Sequence, residues 1–407
     1  NPSDILGIAM AQTATTIIFT DNEGSPLTDC VMWMDGRADR QAQELNKKVG
    51  KNVYNGKNVL AKLVWFMENR PDIVEKSHCM LDVSGWLFRK MTGEWAYEFT
   101  GARATGLVDI EKRCWDKKMF QLSGFPERLV PARIALSTDR IGALTDEAAA
   151  QLGLTKGIPV FGGCSDHATA MLGTGCIRPE DAHIYIGTSA WLAVAATDKD
   201  LVPGRMPSPV PGLRYHFYDT DSGGSCIDFL IQTFYPEELK KGEDVYQILE
   251  KEVEQAMEED MEKVLFLPFL AGASAPVSNT TVRASLLNLT RSTKRRHIAL
   301  AVMQGICFNL RWMKEIHQEK NGWNPNFLRG VGGGMGSSVL SQMLADVLDT
   351  PFSPLNNPRF AGNLGLQSCI DIGLHDDKDF TILDQIVTCA KTYQPRSKYT
   401  QKYNCLY

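Results

Sequence analysis

Paired cysteines are missing from this sequence of 407 residues, although it contains ten cysteines. None of the ten forms a C-x-x-C pair, so their spacing indicates neither a zinc site nor a disulfide framework. Cysteines scattered singly are typical of small buried apolar residues in a reducing compartment, and we therefore expect a cytoplasmic protein. In that setting the sequons that begin at Asn279 and Asn288 are coincidental.

Long apolar runs and large basic blocks are also missing. No run approaches the roughly 18–20 apolar residues that span a bilayer, and nothing near Asn1 resembles a signal peptide, so no membrane partner is expected. The formal net charge is −5, and the densest basic run is Lys294-Arg295-Arg296 at a predicted helix start. A solvated helix face accounts for this run, and we expect no nucleic-acid partner.

The composition is that of an ordinary globular protein with a sizeable core. Hydrophobic residues make up 43% of the chain and charged residues 22%. The length allows two or three domains of about 100–200 residues each. Gly157-Ile158-Pro159 lies at a predicted helix–strand junction, and such a junction favours a domain boundary. We therefore predict one domain over residues 1–159 and a second over residues 160–407.

Hydrophobic periodicity predicts both strands and helices along the chain. Residues 5–33 alternate strand-like runs with turns, residues 94–108 have an extended pattern, and residues 264–272 have the pattern of a buried strand. Helical patterns extend over 58–70, 82–91, 141–153, 237–263 and 293–318. In the helix of 141–153, Thr145 is the predicted N-cap and Gly153 the predicted C-cap.

Two neighbouring motifs form a candidate phosphoryl-transfer site. Residues 160–171, VFGGCSDHATAM, place Asp166 between an apolar strand and a helix-like run. Residues 183–196 form two apolar arms around the turn Gly187-Thr188-Ser189. Backbone N–H groups of a glycine turn can hold phosphate oxygens, and a carboxylate can take the proton of an attacking hydroxyl. A helix N-cap at Asp166 and a plain hairpin turn at Gly187 remain open alternatives.

A second candidate site follows the strand-like run that contains Trp33. The sequence Trp33-Met34-Asp35-Gly36-Arg37 places an aromatic ring and an acid at the carboxyl end of a predicted strand. Such a pair can bind a polyol through contact with the ring face and hydrogen bonds to hydroxyls, because ligands favour strand ends in α/β sheets. A core tryptophan beside a helix-capping aspartate explains the pattern equally well.

Glycine-rich turns occur at two further places. Gly332-Gly333-Gly334 with Ser337 lies between a predicted strand and helix, and three glycines would let a nucleoside lie directly on the backbone. The loop lacks the G-x-G-x-x-G pattern and its βαβ context, which disfavours a dinucleotide-dependent dehydrogenase. Gly223-Gly224 opens a predicted helix, whose first N–H groups could hold an anion.

Two longer stretches give the chain a resemblance to a known family. Residues 62–69, KLVWFMEN, match most of the first signature of the FGGY carbohydrate kinases, although Lys57 and Val59 depart from its leading positions. Residues 284–304, ASLLNLTRSTKRRHIALAVMQ, match the second signature, with Asn288 where the family has glycine. The chain therefore resembles this family over nearly its whole length, and most closely its xylulokinase-like and ribulokinase-like members.

The resemblance implies an α/β protein with two domains of the actin/hexokinase-like (ribonuclease H-like) fold and a cleft between them. It implies ATP-dependent phosphorylation of a sugar hydroxyl with Mg²⁺, on a ketopentose such as xylulose or ribulose or on a related polyol. ATP and the sugar would be its small-molecule partners, and a homodimer is a family-level expectation. The amino-terminal domain would bind the sugar and the carboxy-terminal domain the nucleotide.

The resemblance also assigns roles to individual residues. Asp166 matches the general base, Gly187-Thr188-Ser189 the second phosphate loop and Gly223-Gly224 a further nucleotide-side loop. Gly332-Gly333-Gly334 with Ser337 matches the adenosine motif. Gln12, Trp33, Asp35 and Arg37 fall where the family has sugar contacts. Beside Asp166, His167 is expected to be a substrate-contacting or structural histidine and not a catalytic one. No residue is assigned to a metal.

Two departures from the family bear on function. Xylulokinases carry Gln-Met-His where this chain has Gln12-Thr13-Ala14, so the hydroxyl pattern that is recognised can differ. The Asp-x-Gly-Thr hairpin with which the family begins, its first phosphate loop and magnesium anchor, has no match here. We therefore expect residues 1–407 alone to be catalytically crippled. A non-catalytic nucleotide- or sugar-binding regulator on the same fold is the alternative to a kinase.

Overall fold

The computed structural model describes residues 1–13, 15–197, 206–259, 264–273, 275, 279, 281–375 and 379–407. Contacts between residues divide the chain into two units. The first unit consists of Asn1–Gly173, Pro207–Pro211 and Gly362–Leu383. The second unit consists of Thr174–Met206, Gly212–Ala361 and Asp384–Tyr407.

The strands are short outside one large sheet. In chain order they are β1 Ala11–Gln12, β2 Ile18–Thr20, β3 Cys79–Leu81, β4 Ala96–Glu98, β5 Val108–Asp109, β6 Cys114–Trp115, β7 Arg133–Ala135, β8 Arg140–Ala143, β9 Pro159–Phe161, β10 Cys164–Ser165, β11 Ala182–Ile186, β12 Ala190–Thr197, β13 Met206–Pro207, β14 Leu213–Thr220, β15 Leu265–Leu267, β16 Ser285–Leu287, β17 Leu328–Val331 and β18 Phe352–Pro354.

The helices are distributed over the whole chain, and α12 is much the longest. They are α1 Asp39–Val49, α2 Val59–Asn69, α3 Pro71–Lys76, α4 Val83–Thr92, α5 Phe99–Ala104, α6 Lys117–Ser123, α7 Asp146–Leu152, α8 Asp166–Gly173, α9 Gly224–Phe234, α10 Pro236–Lys240, α11 Val245–Glu258, α12 Arg295–Asn321, α13 Ser338–Leu348, α14 Ala361–His375, α15 Leu383–Ile386 and α16 Ser397–Leu406. Across the described ranges, none of them combines the length and apolar character that a membrane crossing requires.

Paired short strands surround the core of the first unit. β1 runs parallel to β10, with Gln12 beside Ser165, while β8 and β9 are antiparallel. The helix α2 buries Leu60 and Leu63, whose spacing matches the helical period, in a cluster with Tyr97. Gly365 of α14 packs so closely on α8 that a Cβ there would lie 2.3 Å from the Thr169 carbonyl oxygen. These contacts hold the start of α8 in one place.

The division between the units lies at Gly173 and Thr174, later than the boundary that the sequence suggested at residues 159 and 160. Hydrogen bonding explains the difference. β9 pairs with β8, and Ile8 forms a parallel bridge to Val160, so residues 159–161 belong to the sheet structure of the first unit. The motif that contains Asp166 therefore lies wholly in the first unit.

A six-stranded sheet in the order β13-β14-β12-β11-β17-β18 is the centre of the second unit. β11 is antiparallel to β12 and parallel to β17, which is itself parallel to β18. The helix α12 buries Met303, Ile306, Leu310 and Met313 at helical spacing in the core cluster of this unit.

Several predicted elements differ from the observed ones. Residues 94–108 are not extended throughout, because Glu98 accepts hydrogen bonds from the Thr100 and Gly101 amides and thereby starts α5. The predicted strand of residues 264–272 is limited to Leu265–Leu267, where Leu267 is 40% exposed. The helical stretch of residues 237–263 contains α11 and most of α10, and residues 260–263 lie outside the described part.

Candidate active site

Asp166 stands at the carboxyl end of the parallel pair β1 and β10, as the first residue of α8. Residues 161–165 before it and 168–173 after it are buried, yet 53% of the Asp166 side chain is exposed. An exposed carboxylate at such a junction can reach a ligand, because crevices form at the carboxyl ends of parallel strands. The structure thus supplies an accessible carboxylate at the position where the sequence suggested a base.

His167 lies beside this carboxylate. Its backbone N–H donates to Asp166 Oδ1 at 2.9 Å, and its ring Nδ1 lies 3.1 Å from the same oxygen. The His167 side chain is 26% exposed. His167 therefore contacts the candidate base directly, and its part in holding a substrate stays a prediction.

A buried carboxylate, Glu98, supports the strand that ends at Asp166. The Ser165 N–H donates to Thr100 Oγ1 at 2.8 Å, and Thr100 Oγ1 donates to Glu98 Oε2 at 2.5 Å. The other carboxylate oxygen of Glu98 accepts from Ser137 Oγ at 2.8 Å. Burial raises the pKa of Glu98 to about 8, although the hydrogen bonds from Thr100 and Ser137 oppose that increase.

Gln12, which the sequence suggested as a sugar contact, is 3% exposed. Its amide lies against Asp82 and Gly101, where a Cβ at residue 101 would come 2.1 Å from Gln12 Nε2 and 2.3 Å from Asp82 Oδ2. Among the described residues these three side-chain atoms, Gln12 Nε2 and Oε1 and Asp82 Oδ2, have no well-aligned hydrogen-bond partner. Burial raises the pKa of Asp82 to about 6, and the nearby Gln12 amide lowers it. In the same motif Thr13 is exposed, while Ala14 lies outside the described residues.

The loop that contains Trp33, Asp35 and Arg37 forms a different part of the first unit. Arg37 Nε donates to both Asp35 oxygens at 2.9 Å, and its guanidinium carbon lies 4.8 Å from the centre of the Trp65 ring. This hydrogen bonding lowers the pKa of Asp35. Asp35 and Arg37 line a cavity of about 640 Å³, whose described lining contains neither Gln12, Asp166 nor His167. Trp33 is 43% exposed, with Lys57 Nζ 5.9 Å from its ring centre.

The hairpin Gly187-Thr188-Ser189 joins β11 to β12 in the second unit. The Gly187 N–H donates to the Ser189 carbonyl oxygen at 2.9 Å, which closes the turn. Within the described residues, no backbone hydrogen bond uses the N–H groups of Thr188 or Ser189. Two adjacent donors at the tip of a turn could bind an anion such as phosphate.

The N–H groups of Gly223 and Gly224 are used within the protein, and the predicted cofactor-binding role of these two glycines stays a prediction. The N–H groups of Gly223 and Ser225 donate to the Thr188 carbonyl oxygen at 3.0 Å each, and that of Gly224 donates to the Gly187 carbonyl oxygen at 2.6 Å. Because these amides at the start of α9 are occupied, they cannot hold an anion. A side chain would also not fit, since a Cβ at Gly224 would lie 2.4 Å from the Gly187 carbonyl oxygen. The two glycines brace the hairpin.

The three glycines at 332–334 follow β17. A Cβ at Gly332 would lie 2.4 Å from the Ile186 carbonyl oxygen, and one at Gly334 would lie 2.7 Å from Ile186 Cγ2, so both positions require glycine for packing. A Cβ at Gly333 would meet no closer atom than Arg359 Nε, at 4.0 Å, so the space above this residue is open. Ser337 caps α13 by accepting from the Leu340 N–H at 3.1 Å. Close packing therefore explains two of the glycines, and Gly333 is the position at which a ligand could approach the backbone.

A second cavity, of about 700 Å³, brings most of these turns together. The predicted residues on its wall are Gly187, Thr188, Gly224, Gly333, Gly334 and Ser337. Ser189, Gly223 and Gly332 are absent from the described wall and adjoin it through the chain. The lining also includes Asp228 of α9 and Tyr246 and Gln247 of α11, which could not be identified from the sequence. Their motif-free helical sequence contains no indication of a binding role.

Other residues of the two sites could not be identified from the sequence. Glu98, Thr100 and Asp82 support the Asp166 region but belong to no recognised motif. An acid followed by Thr100 and Gly101 two and three residues later is an N-cap pattern, and it could have placed the start of α5. Within the described part, no three His, Cys, Asp or Glu side chains cluster closely enough to hold a metal ion.

Comparison with protein-family models gives two matches that together extend over most of the chain. The model for the amino-terminal domain of the FGGY family of carbohydrate kinases matches residues 1–173. The model for the carboxy-terminal domain of the same family matches residues 182–368.

Curated relatives and solved structures agree with these matches. A xylulose kinase of Lactococcus lactis subsp. lactis (strain IL1403) is 26% identical over 417 residues, which cover 99% of this chain and 81% of that protein. A gluconokinase of Bacillus subtilis (strain 168) is 25% identical and covers 84% of this chain and 69% of that protein. The structure of a ligand-bound xylulose kinase from Lactobacillus acidophilus has a TM-score of 0.85 at 20% identity and covers 98% of this chain and 82% of that chain, which confirms the predicted fold class.

Proposed function

Since this chain belongs to the FGGY family of carbohydrate kinases, we propose that it transfers the γ-phosphoryl group of ATP to a hydroxyl of a ketopentose, such as xylulose or ribulose, or of a related polyol. The family establishes a carbohydrate kinase that uses ATP with Mg²⁺. The xylulose kinase among the relatives favours a ketopentose, while the gluconokinase keeps a related polyol in the proposal.

The observation that carries the proposal is the exposed carboxylate of Asp166. We assign Asp166 as the general base that accepts the proton of the attacking sugar hydroxyl. Oδ1 of this carboxylate is oriented by the His167 N–H, so the side chain is aligned before the substrate binds. A positioned general base contributes roughly 10²–10⁴-fold to rate.

The hairpin of the second unit is the proposed phosphate contact. The N–H groups of Thr188 and Ser189 would donate to phosphate oxygens, and the turn needs no rearrangement because Gly223, Gly224 and Ser225 brace it. Preorganised donors of this kind stabilise the negative charge that phosphoryl transfer leaves on the leaving and equatorial oxygens.

The adjoining cavity fits the rest of the nucleotide. Its 700 Å³ lie within the range of ligand pockets, roughly 300–1,000 Å³, and Gly333 leaves the backbone open to a flat group. Mg²⁺ keeps several water ligands and binds largely through substrate phosphates, so a site without three clustered acidic or histidine side chains is compatible with it. When bound with ATP, this ion neutralises phosphate charge.

A coupled assay of ADP release in the full-length protein tests the proposal. The panel contains xylulose, ribulose, gluconate and glycerol, and Asp166→Asn is compared with Asp146→Asn, whose side chain is 73% exposed beside Lys156. We expect one sugar to stimulate ADP release, a loss of about 10²-fold or more in kcat for Asp166→Asn, and no change for Asp146→Asn.

Two results would contradict the proposal. Sugar-stimulated turnover that survives Asp166→Asn would remove the base assignment, and binding of both ATP and a sugar without any ADP release would identify a regulator on the same fold. Stimulation by gluconate or glycerol alone would exclude a ketopentose and leave the related polyol as the substrate class.

A further inference from the structure

A continuous line of hydrogen bonds connects a buried carboxylate to the residue that precedes Asp166. It runs from the Ser165 N–H to Thr100 Oγ1 at 2.8 Å and from Thr100 Oγ1 to Glu98 Oε2 at 2.5 Å. Glu98 is fully buried, and Thr100 and Ser165 are each 4% exposed. Solvent therefore has no access to this line.

The chemistry of the donors fixes the direction of the line. A backbone N–H can only donate, so the Thr100 hydroxyl must accept from Ser165 and use its single proton toward Glu98. Oε2 of Glu98 also accepts from the N–H groups of Thr100 at 2.8 Å and Gly101 at 3.2 Å. With three donors aimed at it, Oε2 remains an acceptor whether or not the other oxygen carries a proton.

Oε1 of Glu98 can adapt to either charge state without disturbing that arrangement. Its partner, Ser137 Oγ, lies 2.8 Å away and can donate to a carboxylate or accept from a protonated carboxyl group. The link toward Ser165 therefore depends on an acceptor oxygen at residue 98 and not on its negative charge.

We propose that Glu98 is a positioning residue for Asp166, acting through the Thr100 hydroxyl and the Ser165 backbone amide. The inference rests on the proposed function, in which Asp166 is the general base. Ser165 ends β10 and Asp166 starts α8, so an anchor on the Ser165 amide sets where the Asp166 backbone leaves the strand. A displacement of about 1 Å at a reacting group can cost roughly 10²-fold in rate.

The helix α5 offers a control with the same chemistry. Thr105 is 3% exposed, and its Oγ1 donates to the Ala102 carbonyl oxygen at 2.6 Å and accepts from the Leu107 N–H at 3.1 Å. Thr105→Val and Thr100→Val each remove one buried hydroxyl from this segment with little change in shape. Only Thr100→Val breaks the hydrogen bonds that connect Glu98 to the Ser165 amide.

Steady-state kinetics of the full-length protein test the inference. We expect Thr100→Val and Glu98→Ala to lower kcat about 10-fold or more with an unchanged KM for ATP, while Thr100→Ser and Glu98→Gln stay within about threefold because each keeps the required atom. Thr105→Val should keep kcat. In an Asp166→Asn background, Thr100→Val should cause no further loss, since the base that it positions is already gone.

The outcomes separate this inference from the function on which it rests. If Asp166→Asn retains turnover, the proposed function fails first. If Asp166→Asn loses turnover but Thr100→Val does not, only the positioning role is overturned. Equal losses in Thr100→Val and Thr105→Val, or additive losses with Asp166→Asn, also overturn it. Should Thr100→Val or Glu98→Ala fail to fold, a loss of kcat in Thr100→Ser or Glu98→Gln beyond threefold would contradict the inference.

Discussion

Glu98 and Asp82 carry carboxyl groups enclosed in the first unit, 0% and 3% exposed respectively. Each caps a helix, Glu98 at α5 and Asp82 at α4, so each carboxylate satisfies backbone N–H groups that the helix leaves unpaired. Burial raises their pKa values to about 8 and about 6. The native state consequently holds a proton on Glu98 at a pH where the unfolded chain does not.

This difference predicts how stability depends on pH. Between the ordinary Glu value of 4.5 and the native value of about 8, the native state binds more protons, so unfolding becomes easier as pH rises through that window. From pH 6.5 to 8.5 we expect the free energy of unfolding of the natural protein to fall by on the order of 1–2 kcal/mol more than that of Glu98→Gln, because the variant has no proton to release at residue 98. Urea unfolding of both proteins at the two pH values measures this, and parallel pH dependences would contradict it.

Residues that belong to motifs could be located from the sequence, whereas their supports could not. Asp166 and the glycines at 187 and 332–334 follow strand-like runs, and local pattern sufficed to find them. Glu98 is 67 residues away from Ser165 in the sequence, and only the fold brings its partner Thr100 to that amide. A buried Gln12 was equally beyond prediction, because its burial depends on a glycine at residue 101. Its role stays a prediction, as do those of Trp33, Asp35, Arg37, His167, Asp166 and the glycine turns.

At the scale of elements, α16 is attached to α13 by a buried aspartate. Asp346 has a fully buried side chain, and it accepts from the Arg396 backbone N–H at 2.7 Å and from its guanidinium Nη2 at 2.7 Å. Tyr399, in the first turn of α16, donates to Glu258 Oε1 at 2.6 Å. The guanidinium carbon of Arg396 also lies 4.0 Å from the Tyr399 ring centre.

Removal of the guanidinium should loosen this helix. Arg396→Met leaves Asp346 buried with one oxygen unpaired, and we expect the free energy of unfolding to fall by about 2–3 kcal/mol. This is less than the roughly 3–5 kcal/mol that breaking a fully buried ion pair costs, because Arg396 is 42% exposed. Lys398→Met is the matched control, since this exposed side chain lies 5.5 Å from the Tyr399 ring, and it should change stability by less than about 0.5 kcal/mol. Unfolding midpoints that shift equally in the two variants would be inconsistent with the role of Asp346.

Elements with strong local signals were predicted well. α2 and α12 match the predicted helices, and α7 begins after Thr145, whose Oγ1 accepts from the Ala148 N–H, and ends before Gly153 in the left-handed conformation. The first of the strand-like runs predicted over residues 5–33 reduces to a bridge at Ile8, because an apolar run does not determine how far a partner strand extends. Six of the ten cysteines are buried.

At the scale of the whole molecule, the candidate base and the candidate nucleotide cavity belong to different units, each with its own hydrophobic core. A ligand stabilises the part of the protein that binds it, by about 2.7 kcal/mol at a concentration of 100 times Kd. The two ligands of this kinase should therefore stabilise different units of the chain.

Hydrogen exchange with ADP alone can detect this separation. We expect slower exchange in peptides that contain Thr188 and Ser189, whose N–H groups lack a backbone acceptor among the described residues, and in those that contain Gly333. Peptides from α6 in the first unit are the internal control and should exchange at an unchanged rate. Equal protection in α6, or none at Thr188, would contradict the assignment of the cavity.

The bracing of the hairpin has a consequence for product release. Gly187 and Thr188 cannot move away from α9 without breaking three hydrogen bonds at the start of that helix. The hairpin is thus a fixed part of the cavity wall. Tyr246 of α11 also lines this cavity and is 61% exposed beside Asp228. Where product release limits turnover, we expect the turnover rate to respond to the size of the side chain at residue 246, independently of the chemistry at Asp166.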